Sequence, residues 1–248
     1  MRSPSLQGLA LLALPILFGG ACGRTRTASA APVATPTPPA GAGAGPATLA
    51  VPRVAGPVAI DAELEGKKVW EADTGATRNF KDGAGHGMVP YTEAKARWGG
   101  GQLYLMLYAG DLDLEGTVHE HDGPVERDDA FHLEFGQGDE VRVISVSVLG
   151  TVADALCHPS PTGRVCDRGW ESHARVAVDR DGTLNKIGDN DEEWVVEMAI
   201  PLEALGFADA RAGTRIPFSV RRCEIGHGSS RGCGGWGAQP RGELALAP

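Results

Sequence analysis

The sequence has no excess of positive charge. Lys and Arg number 23 against 32 Asp and Glu, for a net charge of −9, and such a surface repels phosphate backbones and anionic headgroups. Nucleic acid is excluded as the expected partner. Nor is there an apolar run able to cross a bilayer, which takes about 20 residues; residues 9–18 (LALLALPILF) fall well short. Aromatic residues make up only 6% of the chain, and residues 23–51 contain none. Amphipathic helical stripes are scarce. What is plentiful is Gly (35) and Pro (17), above average usage, which keeps part of the 248-residue chain out of any packed core. A hydrophobic content of 42% still supports one domain of about 200 residues. It leaves no room for a separate catalytic domain.

The N-terminal run follows Met1-Arg2, is interrupted by Pro15 and ends in Gly19-Gly20-Ala21-Cys22. Its length fits a secretory signal rather than a membrane span. Small residues ending in cysteine resemble the bacterial lipobox, with Gly19 where that pattern has Leu. The resemblance implies a lipoprotein-type signal peptide over 1–21, cleavage before Cys22 and lipidation of its thiol. An exported protein anchored in the cell envelope is expected, facing the periplasm or the outer surface; the alternative is an ordinary signal peptide cut nearby. Residues 23–51, rich in Ala, Pro, Gly and Thr, read as a disordered linker of up to about 3.1 Å per residue.

Beyond Cys22, four cysteines remain: Cys157, Cys166, Cys223 and Cys233. An even number in an exported chain reads as disulfides. The local pairings Cys157 with Cys166 and Cys223 with Cys233 are favoured, each closing a Gly/Pro-rich loop. Zinc, with His158 and His227 nearby, is the rival, although neither pair has the short spacing of a structural zinc knuckle.

After residue 52 the dominant signal is alternation with period two. Residues 102–108 (QLYLMLY) are apolar on both faces and read as a central strand, whereas Ala174, Val176 and Val178 alternate with His173, Arg175 and Ala177 as a half-exposed one. Residues 141–149 (VRVISVSVL) switch parity between Val143 and Ile144, implying a bulge or burial on both faces. Residues 194–200 and 215–224 complete the long strands. Turns are marked by Gly99-Gly100-Gly101, Gly136-Gln137-Gly138-Asp139 and Asp179-Arg180-Asp181-Gly182. The pattern predicts an all-β antiparallel sandwich over 52–248 with one short helix at 201–205.

The order of residues in this region resembles the family 9 carbohydrate-binding modules and their wider group. The match opens with Val58-Ala59-Ile60-Asp61 and Trp70, continues through Ala96-Arg97-Trp98 with Leu103-Tyr104, and takes in Asp128-Asp129 with Phe131 and Phe135. Residues 194–201 (WVVEMAIP), 218–222, Trp236 and Gly242-Glu243-Leu244 complete it. The resemblance implies a β-sandwich, with Trp70 and Trp98 in fold-defining segments. In sugar-binding members a chain end lies between two Trp, with Arg and Glu on the hydroxyls. Arg142 matches that Arg. Val125 and Glu126 stand where the first Trp is expected, His132 replaces the Glu, and Trp236 fits either the second Trp or a structural one preceding it. Trp170 is a further candidate wall, because an aromatic face suits the apolar side of a pyranose.

The expected function is therefore non-catalytic carbohydrate binding, with Trp236 or Trp170 stacking on a sugar and Arg142, His132 and Arg221 donating hydrogen bonds. Any catabolic role would pass through carbohydrate-degrading enzymes encoded elsewhere. One rival is a structural or protein-interaction lipoprotein of the same fold. Another is a haem domain using Met88, Met106 or Met198. Asp128, Asp129 and Glu197 are formal candidates for a glycosidase acid/base pair and are expected to be structural. No cofactor is expected, calcium being the ion that Asp111-Leu112-Asp113 or residues 189–193 (DNDEE) would suit. His119 and His121 form an i, i+2 pair of metal-binding type, read here as part of an exposed acidic loop.

Overall fold

The computed structural model describes residues 46–87, 91–136, 139–225, 232–237 and 241–248. The expectations for the signal segment, Cys22, the linker up to residue 45, Met88 and His227 lie outside them.

The described residues form two packed sheets. The strands are β1 (Thr48–Val51), β2 (Ala76–Thr77), β3 (Thr92–Gly99), β4 (Gln102–Gly110), β5 (Ala130–Phe135), β6 (Val141–Ser147) and β7 (Val152–Ser160). They continue as β8 (Gly163–Asp167), β9 (Arg175–Asp181), β10 (Glu193–Pro201), β11 (Arg215–Glu224), β12 (Gly232–Trp236) and β13 (Gly242–Leu246). The first sheet runs β1-β13-β11-β5-β6-β7-β8, with β12 also on β11, and the second runs β2-β3-β4-β10-β9. All pairings are antiparallel except β1 with β13. This is the all-β sandwich that the alternation predicts.

Strand β4 shows why the second sheet is central to packing. Leu103, Leu105 and Leu107 face the core between the sheets, against Phe131, Leu133 and Ile144. Tyr104 and Met106 face outward, where Val58 and Trp70 cover them together with Val195 and Ala199. Both faces are dry, so the continuous apolar run is required. A carboxylate pins the covering segment: Glu197, fully buried on β10, accepts hydrogen bonds from the Ala62 amide at 2.8 Å and from Trp70 Nε1 at 2.6 Å. The turn from β3 to β4 places Gly100 and Gly101 at φ 57° and 76°, as a two-residue hairpin with primed-turn geometry needs.

Four local expectations resolve or change. Thr48–Val51, expected in the linker, forms β1: Leu49 and Val51 are buried while Thr48 and Ala50 are exposed, a short alternation that proline-rich surroundings hide. Of the residues expected in a helix at 201–205, Pro201 ends β10 and the rest form hydrogen-bonded turns that Gly206, at φ 85°, closes. The helical turns are Lys68–Glu71 and the 3-10 turn Val125–Arg127. The parity switch in β6 is burial on both faces: its register with β5 and β7 is unbroken, with Ile144 and Val146 in the core. Asp181-Gly182 is not a tight hairpin; residues 182–192 make a longer excursion in which Asp191 accepts from the Thr183 and Leu114 amides.

Candidate functional site

Cross-strand register assembles a group of polar side chains on the outer face of the first sheet. Phe131, Leu133 and Phe135 of β5 point inward, so His132 and Glu134 point outward. His132 lies opposite Arg221 on β11 and Ser145 on β6, and its Nδ1 sits 2.8 Å from Ser145 Oγ. Burial, then the neighbouring Arg221 charge, pushes its pKa down to about 4, so the ring is neutral at neutral pH. Glu134 accepts from Arg164 Nη1 at 3.1 Å and also from Arg241. Burial works to raise its carboxyl, but the two guanidiniums outweigh it and hold it below its ordinary range. Arg221 is exposed beside these groups. The result is a polar lane in which His132, Ser145 and Arg221 lie in one cross-strand row and Glu134, Arg164 and Arg241 lie beside it.

The other expected site residues do not join this lane. Arg142 lies on the inward parity of β6; its Nε donates to the Ala204 carbonyl at 3.0 Å and its Nη2 pairs with Glu140 at 3.0 Å. It holds the turn after β10. Trp236 is 7% exposed, paired opposite Val220 on the inward face, with its ring 6.1 Å from Phe218. Trp170 is partly buried against the core. Of the five residues expected to form one cleft, the structure brings together His132 and Arg221 and separates Arg142, Trp236 and Trp170. The cause is strand parity, which sends Arg142 and Trp236 to the opposite face of the same sheet.

The candidate acids are occupied by backbone. Asp128 accepts from the Thr117 and Val118 amides at 2.9 and 3.0 Å, and Asp129 from those of Glu115 and Ile225 at 2.7 Å each. Burial, then the charge of Asp111, raises the Asp129 pKa to about 7. Asp111, one expected calcium ligand, is buried against Arg222 at 3.1 Å and accepts from Trp194 Nε1. Both disulfides are formed in the favoured local pairings, which overturns the zinc reading of these cysteines. The supposed loop between Cys157 and Cys166 is a hairpin, the two residues facing each other across β7 and β8. Met106 and Met198 are buried in packed clusters.

Sequence reasoning missed the carboxylate and guanidiniums that frame the lane, Glu134, Arg164 and Arg241. The alternation of β5 was the available signal for Glu134; the approach of the two Arg depends on folding. It also missed Tyr91, 48% exposed before β3, whose ring meets Tyr108 edge-on at 5.7 Å and whose hydroxyl accepts from Arg78. A separate cleft of about 580 Å³ is lined by Gly56, Pro57, Gln102, Tyr104, His173 and Arg175. It contains none of the expected residues.

Topology and packing define the class, an all-β sandwich, and its likeness to solved structures gives it the fold of the family 9 carbohydrate-binding modules. No family model matches the sequence, and neither does any curated protein. Solved structures do. A Bacteroides uniformis protein proposed to bind carbohydrate is similar with a TM-score of 0.57 and 13% identity, over 81% of this chain and 99% of that one. A family 9 carbohydrate-binding module from Caldicellulosiruptor kristjanssonii, in complex with glucose, is similar with a TM-score of 0.52 and 14% identity, over 80% and 95%.

Proposed function

We propose that this protein is a non-catalytic carbohydrate-binding lipoprotein of the cell envelope. The observation that carries the reading is the fold shared with a module whose structure is in complex with glucose. The polar lane is where we place the ligand: Arg221 and His132 donate to sugar hydroxyls, and Glu134 supplies an acceptor that two guanidiniums keep ionised. The occupied acids Asp128, Asp129 and Glu197 support a non-catalytic role, since each already satisfies backbone or indole donors. Disulfides between Cys157 and Cys166 and between Cys223 and Cys233 support an oxidising, extracytoplasmic compartment.

A second reading, a protein-interaction lipoprotein of the same fold, is favoured by the tryptophans. Four of the five tryptophans, Trp70, Trp98, Trp194 and Trp236, are buried and offer no open face to a sugar, and the fifth, Trp170, is partly buried against the core. A glycan array followed by titration with soluble oligosaccharides separates the two. Arg221→Ala should weaken binding by about 1–3 kcal/mol while leaving the melting temperature unchanged. Unchanged affinity in that variant removes the lane as the site, and silence of the folded protein on the array favours the protein-interaction reading.

A further inference from the structure

A second site lies away from the polar lane, at the start of β7. His121 and Asp122 come from the segment between β4 and β5, Asp154 from β7, and Glu171 from the segment between β8 and β9. Each offers one ligand atom, and these atoms all lie within 4.8 Å of one another. His121 Nε2 is 3.3 Å from Glu171 Oε2 and 3.6 Å from Asp122 Oδ2. Around zinc, with bonds of about 2.0–2.2 Å, neighbouring tetrahedral donors stand about 3.3–3.6 Å apart. These two pairs are already at that spacing.

The backbone holds one oxygen of each aspartate and leaves the other over. Asp122 Oδ1 accepts from the Asp154 amide at 3.0 Å, and Asp154 Oδ2 accepts from the Ser172 amide at 2.9 Å. Asp154 is 4% exposed, and its Oδ1 is shielded from solvent without a hydrogen-bond partner. A buried carboxylate oxygen left in this way costs stability unless a cation or donor satisfies it. Arg168 is nearby, but its guanidinium donates to the Asp122 carbonyl. His121 and Glu171 are about half exposed and form the open rim above Asp154.

We infer that His121, Asp122, Asp154 and Glu171 bind a divalent transition-metal ion of the zinc class. The imidazole selects the class: calcium and magnesium prefer an all-oxygen shell, whereas zinc takes nitrogen and carboxylate oxygen together. The ion joins three chain segments distant in sequence and fixes the segment between β8 and β9, which carries Trp170, against β7. His119, the other member of the expected histidine pair, is not part of the set.

The test is zinc titration of the untagged, chelator-stripped full chain by calorimetry, with calcium in a parallel run. One saturable zinc site is expected, weakened at least tenfold by His121→Ala and by Glu171→Gln, both rim substitutions that the fold tolerates. Cobalt(II) in place of zinc should give a visible absorption band that His121→Ala alters. Absence of zinc binding to the folded protein overturns the inference. So does binding that neither variant weakens, or a site that takes calcium in preference to zinc.

Discussion

At Glu197 and Trp236, chemistry that resembles a functional site serves the fold. Glu197 accepts from Trp70 Nε1 and two backbone amides and pairs with Lys67, fastening the segment over the second sheet. Trp236 fills the core beside Phe218, and Gly242 lies against its ring. Trp236→Ala should therefore cost about 3–5 kcal/mol in urea denaturation. A loss below about 1 kcal/mol would mean that the ring is not packed as described. His132 gives a prediction about pH. Its folded pKa of about 4 lies below the ordinary 6.5, so between those values the unfolded chain binds a proton that the folded chain refuses. Stability from this group is thus lost as pH falls from 6.5 towards 4. Asp129, at about 7 against 3.8, acts oppositely: the folded chain holds the proton, and its contribution grows on acidification. His132→Gln removes only the first effect. On going from pH 7 to 4.5, the variant should gain about 2 kcal/mol relative to the unsubstituted protein. Parallel pH profiles for the two would contradict the half-buried, neutral imidazole.

At the scale of elements, the sequence is legible where burial imposes a period and illegible where it does not. Strands β4 and β10 are apolar by necessity because both of their faces are covered, and β11 is outlined by its inward Ile216, Phe218 and Val220. Strand β8 is exposed along its whole length, so no alternation marks it, and Gly and Pro make its hairpin with β7 look like a loop. Residues 201–205 contain good helix formers, but Gly206 stops them within turns. The candidate site was less legible than the fold. That His132 meets Arg221 is a matter of register between β5 and β11, residues far apart in the chain. That Trp236 faces inward follows from its pairing with Val220, which local sequence does not encode. The zinc-class site was half visible in His121 and Asp122; Asp154 and Glu171 reach it through the folding of β7 and the segment after β8.

At the scale of the whole molecule, the proposed function has the sandwich recognise sugar and the residues before it deliver and tether the protein. Cys22→Ser removes the proposed lipid acceptor, so the protein should move from the detergent-soluble membrane fraction to the aqueous phase while its sugar affinity stays unchanged. Retention in the membrane fraction would rule out Cys22 as the anchor. On the proposed function, sugar contacts the outer face of the first sheet. The most direct measurement is a titration of isotopically labelled protein, followed by amide resonances, with the oligosaccharide that performs best on the array. Saturable shifts are expected at His132, Glu134, Ser145 and Arg221, with Tyr91 and the segment covering the second sheet unmoved. Shifts centred on Tyr91, or none at any sugar concentration, would contradict it.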